Sequence, residues 1–248
     1  MAESKDWIAP ITMIILSIFM YRITNILQEM VDETNLSNGD HNDNNNNNIY
    51  YSSKRYDGPS RIDTTIIDNF MNKEDPIMKE LENKDLWSQC HDGRPEFWDG
   101  KSNPKNIWEE LSKKIWEGRP EFKEAVGFEY WCNILPENKM LPWHIDKDEE
   151  AYKESFDLVT PMKGAVYYGF DHDGKYEGGK LWLVDAALGD DPTRYENEWR
   201  DGLTEIDANY NRVIYFNASL WHKVSDVTSG ARYTFAVNAL SQIPRRLN

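Results

Sequence analysis

The chain has 248 residues, of which 28 are basic and 43 acidic, so its formal net charge is −15. Hydrophobic residues make up 40% and aromatic residues 13% of the sequence, enough buried surface to exclude a wholly disordered chain. The acidic excess argues against a nucleic-acid partner, because phosphate backbones are bound through Lys and Arg. Two cysteines, Cys90 and Cys132, are too few for a disulfide framework. We expect two reduced thiols, with one bridge between them as the alternative.

The N-terminal segment, residues 1–27, predicts a membrane-anchor helix of the signal-anchor type. Residues 7–21 are uncharged and mostly apolar, and the run extended to Leu27 reaches about the twenty residues that a transmembrane helix needs. No small-residue cleavage site follows, which favours an anchor over a removable signal peptide. A buried or interfacial helix is the alternative. We expect a single-pass, membrane-anchored protein, on a side of the membrane that the flanking Lys5 and Arg22 leave open.

The rest of the chain divides into a linker and a domain. Residues 28–58 are polar and end in an asparagine-rich tract, which predicts a flexible linker. Residues 59–248 have a globular composition and predict one domain. Its first part contains a short strand over residues 62–70 and two amphipathic helices over residues 73–83 and 106–117.

After Gly118 the hydrophobic pattern changes to a strand period. Five short segments rich in β-branched and aromatic residues predict strands: 128–135, 164–170, 180–184, 212–216 and 233–240. Successive strands without intervening helices favour a sandwich or jelly roll. The expected fold class is therefore mainly β with flanking helices. An acidic segment, residues 188–207, interrupts the strands, and a solvated surface loop, a lid and a surface for a basic substrate are its alternatives.

Two histidines lie in contexts that indicate a metal site. One residue separates His144 from Asp146, so in a strand both side chains lie on the same face. His222, in a Trp-His-Lys-Val segment after the strand 212–216, is a candidate third ligand. Two imidazoles and one carboxylate form the facial triad of non-haem iron(II) sites, which leaves positions open for substrates and oxygen. A surface histidine beside a solvated aspartate is the alternative for the His-x-Asp pair alone.

Four motifs follow one another along the chain: His144-x-Asp146, the Tyr-Glu-Gly-Gly-x-Leu segment 176–181, His222-x-Val224 and Gly230-x-Arg232-Tyr233. In this order they resemble the iron(II)- and 2-oxoglutarate-dependent dioxygenases, in particular the prolyl and lysyl hydroxylase-like branch. The resemblance spans roughly residues 60–242 and implies a double-stranded β-helix (jelly roll) core. It also implies Fe(II), 2-oxoglutarate as cosubstrate and O2, and leaves a requirement for ascorbate open. The glycine pair, Gly178 and Gly179, permits a close backbone approach that a Cβ would block.

The resemblance implies a role for each matched residue. His144, Asp146 and His222 match the metal ligands, and no catalytic residue beyond them is implied. Arg232 matches the basic residue that binds the distal carboxylate of 2-oxoglutarate, for which a planar, permanently charged guanidinium is well suited. Thr234 lies two residues further along the strand, and its hydroxyl is a candidate hydrogen-bond donor to the same carboxylate.

Two tyrosines are additional candidates for cosubstrate binding. Tyr168 corresponds to a position at which hydroxylases often place a cosubstrate-binding tyrosine, with core packing as an equal alternative. Another tyrosine of many hydroxylases precedes the His-x-Asp motif on the upstream strand, and that position is Ile134 here. Tyr130, which shares a strand face with Ile134 by alternation, is the candidate substitute.

The implied function is hydroxylation of an unactivated C–H bond on a prolyl or lysyl residue of a protein or peptide. Collagen-type prolyl hydroxylases usually have Lys at the position of Arg232, which leaves the target residue open. One alternative is the same chemistry on a small molecule or a sugar. A nucleic-acid demethylase is disfavoured, because no second arginine lies near residues 237–240 and the net charge is −15. A non-catalytic jelly-roll module that binds a metal or a carbohydrate is a further alternative.

Overall fold

The computed structural model describes most of the predicted globular domain, in four stretches: 60–92, 94–169, 176–186 and 190–247. The predicted membrane anchor (1–27) and linker (28–58) lie outside the described residues, and both stay predictions. Within the described stretches, no helix has the length and apolar character needed to cross a membrane.

The fold is built mainly from antiparallel strands, with a group of short helices before the third strand. The strands are β1 (Thr65–Ile67), β2 (Glu96–Trp98), β3 (Gly127–Pro136), β4 (Leu141–His144), β5 (Lys163–Tyr168), β6 (Glu177–Gly178), β7 (Leu181–Val184), β8 (Leu203–Ile206), β9 (Arg212–Phe216), β10 (Trp221–Val224), β11 (Val227–Ser229) and β12 (Ala231–Leu240). The helices are α1 (Pro76–Leu81), α2 (Lys84–Asp92), α3 (Ile107–Trp116), α4 (Pro120–Glu124), α5 (Glu149–Ser155) and α6 (Arg194–Asn197), with 3₁₀ turns at Arg200–Gly202 and Arg245–Leu247.

Two sheets carry the candidate site. The larger has the strand order β1-β9-β5-β12-β3-β2 and the smaller β4-β10-β7-β8, while β6 and β11 form a separate pair. Neighbouring strands pair antiparallel throughout. This arrangement is consistent with the expected jelly-roll core, with the helices that precede β3 packed on the larger sheet.

Helix α3 closes the outer face of the larger sheet. It begins after Asn106, whose side chain accepts a hydrogen bond from the backbone N–H of Glu109 and so satisfies a helix-end donor. Its apolar face places Leu111, Ile115 and Trp116 in the main core cluster. The predicted amphipathic helix over 106–117 is therefore confirmed, and only the opposite face of the sheet is left for a site.

Strand β12 separates core side chains from candidate site side chains. Phe235 and Val237 belong to the core cluster that includes the α3 residues. Because side chains alternate along a strand, Arg232, Thr234 and Asn238 lie on the other face, which is directed toward the smaller sheet. The polar residues of β12 therefore lie between the two sheets.

The acidic segment 188–207 contains regular structure in its described part, residues 190–207. Strand β8 pairs with β7 at the edge of the smaller sheet, and α6 places Tyr195, 2% exposed, in a hydrophobic cluster on that sheet. The interpretation of the segment as a solvated surface loop is therefore wrong for these residues. The sequence did not predict these two elements, because both are short and the many acidic residues of the segment make its few apolar positions inconspicuous.

The expectation of two reduced thiols is also wrong, because Cys90 and Cys132 form a disulfide. Cys90 lies on α2, a helix that was not predicted separately, and Cys132 lies on β3. Packing of α2 against β3 brings their Cα atoms to 5.4 Å, within the range that a disulfide spans. The bridge ties the helical layer to the larger sheet.

Candidate metal centre

Three side chains at one end of the smaller sheet converge on one point. His144 is the last residue of β4 and lies opposite His222 of β10 in the strand register. Asp146 Oδ1 is 3.7 Å from Nε2 of His144 and 3.6 Å from Nε2 of His222. One ligand atom of each residue lies within 4.8 Å of the other two. Metal–ligand bonds of about 2 Å place neighbouring ligand atoms about 3–4 Å apart, so this geometry fits a single cation.

Asp146 reaches the site from a loop. Strand β4 ends at His144, so the two residues do not share a strand, which was the condition for placing both side chains on one face by alternation. The backbone N–H of Asp146 donates to the carbonyl of Ala218 at 3.1 Å, on the turn that precedes β10. This bond fixes the carboxylate next to His222, which strand alternation alone does not do.

Local hydrogen bonds select the ligand atom of each histidine. Nδ1 of His144 lies 2.7 Å from the carbonyl of Pro142, and Nδ1 of His222 lies 2.8 Å from the carbonyl of Leu220. A ring nitrogen beside a carbonyl oxygen carries the proton, so in the neutral imidazole Nε2 keeps its lone pair. Both Nε2 atoms are the ones directed at Asp146. The two rings are therefore prepared for a metal without any rotation.

The charge balance of the triad favours a cation. Burial tends to raise the pKa of Asp146, but His222, together with His144 and a hydrogen bond from Asn238, holds it below its usual value. Burial lowers the pKa of His144, and His222 acts in the same direction. For His222, burial opposes protonation, but the Asp146 carboxylate outweighs it and raises the pKa. The site holds an ionised carboxylate, to which a divalent cation is attracted.

Arg232 is a buried cation that has no anionic partner among the described residues. It is 2% exposed, and its guanidinium donates to Thr234 Oγ1 at 3.1 Å and to the hydroxyl of Tyr168 at 3.4 Å. Its Nε has no hydrogen-bond partner in the part of the chain that the structure describes. None of the described carboxylates forms an ion pair with it. Arg232, Thr234 and Tyr168, all singled out from the sequence, thus form one polar group.

The glycine pair makes room for this arginine. Gly178 and Gly179 have φ angles of 79° and 63°, in the left-handed region that favours glycine. A Cβ on Gly179 would lie 2.7 Å from Cδ of Arg232. The expectation that a Cβ would block a close approach here is confirmed, and the group approached is Arg232.

A series of contacts between side chains connects the triad to the arginine. The ring of Phe216 lies 5.1 Å from that of His222, and Phe216 belongs to the same hydrophobic cluster as Tyr168. The Tyr168 ring is in turn 5.0 Å from the Arg232 guanidinium carbon. Phe216 and Tyr168 thus connect the two polar groups through one hydrophobic cluster.

The structure does not bring Tyr130 to this group. Tyr130 pairs with Val237 in the β3–β12 register, so it lies on the helix side of the sheet. Its ring is 5.8 Å from that of Phe235 and its hydroxyl donates to Glu96 at 2.8 Å. The hypothesis that Tyr130 binds a cosubstrate is therefore not supported, because the alternation that pairs it with Ile134 places both away from Arg232.

Hydrogen bonds on the outer face of the smaller sheet support the two strands that carry the histidines. Trp143 precedes His144 and Lys223 follows His222, so their side chains point to the opposite face. Glu196 of α6 accepts hydrogen bonds from Trp143 Nε1 and, at 2.9 Å, from Lys223 Nζ. This carboxylate links the two histidine-bearing strands to the segment that sequence reasoning had treated as a loop.

A cleft of about 670 Å³ opens beside His144 and Asp146. Its floor includes Glu129, Trp131 and Asn238 from neighbouring strands of the larger sheet. Residues before and within α5, together with Ser241, Gln242, Pro244 and Arg246, form its rim. No described residue of the segment 190–207 lines it, so the lid hypothesis gains no support.

Three polar residues were missed from the sequence. Glu129 and Glu196 lie in strand and helix patterns with no recognisable motif. Asn238 could have been found, because it lies six residues after Arg232 and thus on the same strand face. Its amide Nδ2 donates to Asp146 Oδ2 at 2.9 Å.

Comparisons with known proteins give low similarities. No protein-family model matches the sequence, and no curated protein does. Among solved structures, a Pseudomonas putida prolyl-4-hydroxylase is 13% identical with a TM-score of 0.47, and the alignment covers 72% of this chain and 88% of that one.

Two further structures are similar to the same degree. A prolyl hydroxylase from Trichoplax adhaerens, in complex with a hypoxia-inducible-factor oxygen-degradation-domain peptide fragment, is 17% identical over 75% of this chain and 86% of that one, with a TM-score of 0.48. HygX from Streptomyces hygroscopicus, with nickel and 2-oxoglutarate bound, is 11% identical over 71% of this chain and 81% of that one, with a TM-score of 0.46. At such values the roles of individual residues rest on the geometry of the site itself.

Proposed function

We propose that the chain is an Fe(II)- and 2-oxoglutarate-dependent dioxygenase that hydroxylates a side chain of a protein or peptide. The observation that carries this proposal is the buried guanidinium of Arg232, which has no carboxylate partner among the described residues and lies on the sheet face directed toward the triad. A buried charge without a counter-ion costs several kcal/mol. An anionic ligand that reaches from Arg232 toward the triad removes this cost.

The residues present fit both the metal and the cosubstrate. His144 and His222 through Nε2, and Asp146 through Oδ1, would hold the metal in the facial arrangement preferred by non-haem Fe(II). Arg232 would hold the distal carboxylate of 2-oxoglutarate, with Thr234 beside it. Bound Fe(II) and 2-oxoglutarate supply the oxidising chemistry, which no protein side chain provides.

The protein's own contribution is position, charge and exclusion of water. Asn238 orients the Asp146 carboxylate, and the carbonyl groups beside both Nδ1 atoms hold the two rings. Phe216 and Tyr168 keep the inter-sheet space apolar. In the overall reaction one oxygen atom of O2 enters the substrate C–H bond and the other enters succinate, as 2-oxoglutarate loses carbon dioxide.

A peptide substrate is proposed for the cleft beside the triad. Its volume of about 670 Å³ accommodates one side chain with neighbouring residues, although small-molecule sites have similar volumes. Resemblance of the motifs to peptidyl hydroxylases supports a protein substrate, with a prolyl or lysyl residue as the target.

Succinate release tests the proposed function. The protein is incubated with Fe(II), ascorbate and 2-oxoglutarate, first alone and then with peptide pools that contain proline or lysine. We expect slow succinate formation without peptide, an increase with a pool that contains a substrate, and a peptide product heavier by one oxygen atom. Absence of both metal binding and succinate would contradict the proposal and favour a non-catalytic binding module.

A further inference from the structure

An ion pair inside the cleft involves two residues to which the proposed reaction gives no role. Glu129 of β3 accepts hydrogen bonds from Nη2 and Nε of Arg246 at 2.8 Å and 3.2 Å. Both residues line the cleft, and the Glu129 side chain is only 20% exposed. A carboxylate removed from water to this extent needs a cationic partner, and this partner comes from the chain itself.

Glu129 is close to the triad along a short chain of contacts. It pairs with Asn238 across the β3–β12 register, so both side chains lie on the cleft face. Asn238 in turn donates to Asp146. A cationic group bound to Glu129 is therefore held next to the position at which a substrate approaches the metal ligands.

The pair with Arg246 leaves part of the carboxylate available. Both guanidinium nitrogens bind Oε1, and Oε2 accepts no hydrogen bond from any described residue. Arginine binds carboxylates best in a two-oxygen, bidentate geometry. A guanidinium that approaches from the cleft can thus make contacts that Arg246 does not make.

The charge of the cleft favours a cation as well. Outside the triad, carboxylates exceed basic groups in its lining, with Glu129, Asp148, Glu149 and Glu150 against Arg94, Lys147 and Arg246. Lys147 already pairs with Glu149 at 2.8 Å. An incoming anion would meet this excess of negative charge, whereas a cation would reduce it.

The neighbouring arginine of the same segment provides a control. Arg245 pairs with Glu154 at 2.7 Å, and neither side chain lines the cleft. The backbone N–H of Arg245 donates to Asp148 at 2.7 Å, which holds the segment at the rim whatever the side chain is. Removing the charge of Arg245 therefore changes the net charge of this segment but leaves the ion pair between Arg246 and Glu129 in place.

Resting on the proposed function, we infer that Glu129 is a specificity-determining residue that binds a cationic side chain of the substrate peptide, and that Arg246 occupies it until the substrate arrives. The substrate class is a peptide with an arginine or lysine near the residue to be hydroxylated. Arg246 then acts as an internal competitor, which a cationic side chain of the peptide must displace from Glu129 and which therefore weakens binding of peptides that carry such a residue.

Binding to the metal-free protein tests this inference separately from activity. Two peptide libraries are randomised over uncharged residues, and one carries arginine where the other carries citrulline, which has the same shape without the charge. Retention on the immobilised full chain is measured by mass spectrometry. We expect retention of the arginine library to be about ten-fold or more higher, the effect of one charge-assisted hydrogen bond in a partly buried site.

Three variants complete the experiment. Glu129→Gln keeps the shape and removes the charge, and we expect the preference for arginine to disappear. Arg246→Gln removes the competitor, and we expect arginine peptides to be retained several-fold more strongly, while Arg245→Gln changes nothing. Equal retention of both libraries by the unmodified protein, or an unchanged preference in Glu129→Gln, overturns the assignment.

Failure of this inference and failure of the proposed function give different results. Succinate release without any arginine preference leaves the dioxygenase proposal standing and overturns the role of Glu129. An arginine preference lost in Glu129→Gln, without succinate release, supports the binding site and contradicts the dioxygenase. An Arg246→Gln variant with unchanged retention overturns the competitor role of Arg246.

Discussion

Asn238 donates a hydrogen bond from Nδ2 to Oδ2 of Asp146 at 2.9 Å, which leaves Oδ1 of the same carboxylate directed at both histidines. Asn238 is on β12 of the larger sheet, whereas Asp146 follows β4 of the smaller one. This side-chain bond thus joins the two sheets at the candidate metal centre and orients the carboxylate of the His144–Asp146–His222 triad.

Asn238→Ala should weaken metal binding without unfolding the protein. Loss of the group that orients a ligating carboxylate typically costs 10–100-fold in metal affinity. We expect a loss in this range for Fe(II) or Co(II), measured by anaerobic titration calorimetry. An unchanged affinity in a folded variant would show that the bond has no role in positioning Asp146.

Arg232→Gln should raise the 2-oxoglutarate requirement while metal binding is retained. Removal of a buried, hydrogen-bonded charge partner costs about 2–5 kcal/mol, so we expect the concentration for half-maximal succinate release to rise by about two to three orders of magnitude. Because no described carboxylate pairs with this arginine, the variant should not be less stable than the unmodified protein. The matched control is Arg212→Gln, since Arg212 already pairs with Asp68 at 2.6 Å, and this variant should keep the normal requirement.

Glu196→Ala should destabilise the smaller sheet, because Glu196 accepts hydrogen bonds from Trp143 and Lys223 on its outer face. The substitution leaves Lys223, which is 7% exposed, without its carboxylate partner. It also removes the hydrogen-bond acceptor of the Trp143 indole N–H. We expect the free energy of unfolding in urea to fall by about 2–3 kcal/mol, with weaker metal binding as a consequence. Glu198→Ala in the same segment removes only a more exposed pair with Arg194 and should cost less than about 1 kcal/mol. Equal losses in both variants would contradict the role of Glu196.

The stability difference between Glu129→Gln and the unmodified protein should depend on pH. Burial raises the pKa of Glu129 above its ordinary value of 4.5, and Arg246 offsets this only in part. The Glu129 carboxyl group therefore binds its proton more tightly in the folded protein than in the unfolded chain. As a result, its contribution to the free energy of unfolding is complete below the ordinary pKa and is lost as the pH rises through the raised pKa.

Glutamine does not titrate, so the variant should gain stability relative to the unmodified protein as the pH rises from the ordinary pKa of Glu129 through the raised one. Urea denaturation at several pH values measures this difference. A difference that is constant, or that changes in the opposite direction, would contradict a raised pKa at this position.

The sequence predicted those parts of the site that depend on local spacing. The alternation along β12 places Arg232 and Thr234 together, and the glycine pair predicts a close approach. Strand pairing over long sequence distances was not predictable in this way. Glu129 and Asn238 are over one hundred residues apart in the chain and become neighbours only through the β3–β12 register.

Two incorrect expectations have the same origin. Tyr130 was grouped with Ile134 by alternation, but which strand face meets the helices is decided by the packing of α3. Cys90 and Cys132 have no recognisable spacing, and only the contact between α2 and β3 brings them within bonding distance. The sequence pattern of a strand therefore predicts which side chains share a face. Which other elements contact that face depends on tertiary packing, which the local pattern does not show.

The most direct test of the central claim is an anaerobic absorption titration with Fe(II), followed by 2-oxoglutarate. Chelation of Fe(II) by a 2-oxo acid gives a visible charge-transfer band, which reports the metal and the cosubstrate in one site. We expect a saturable band in the unmodified protein, no band in Asp146→Ala, and a band in Arg232→Gln only at about hundred-fold or higher 2-oxoglutarate. A band of equal strength in Asp146→Ala, or none in the unmodified protein with Fe(II) present, would contradict the assignment of His144, Asp146, His222 and Arg232.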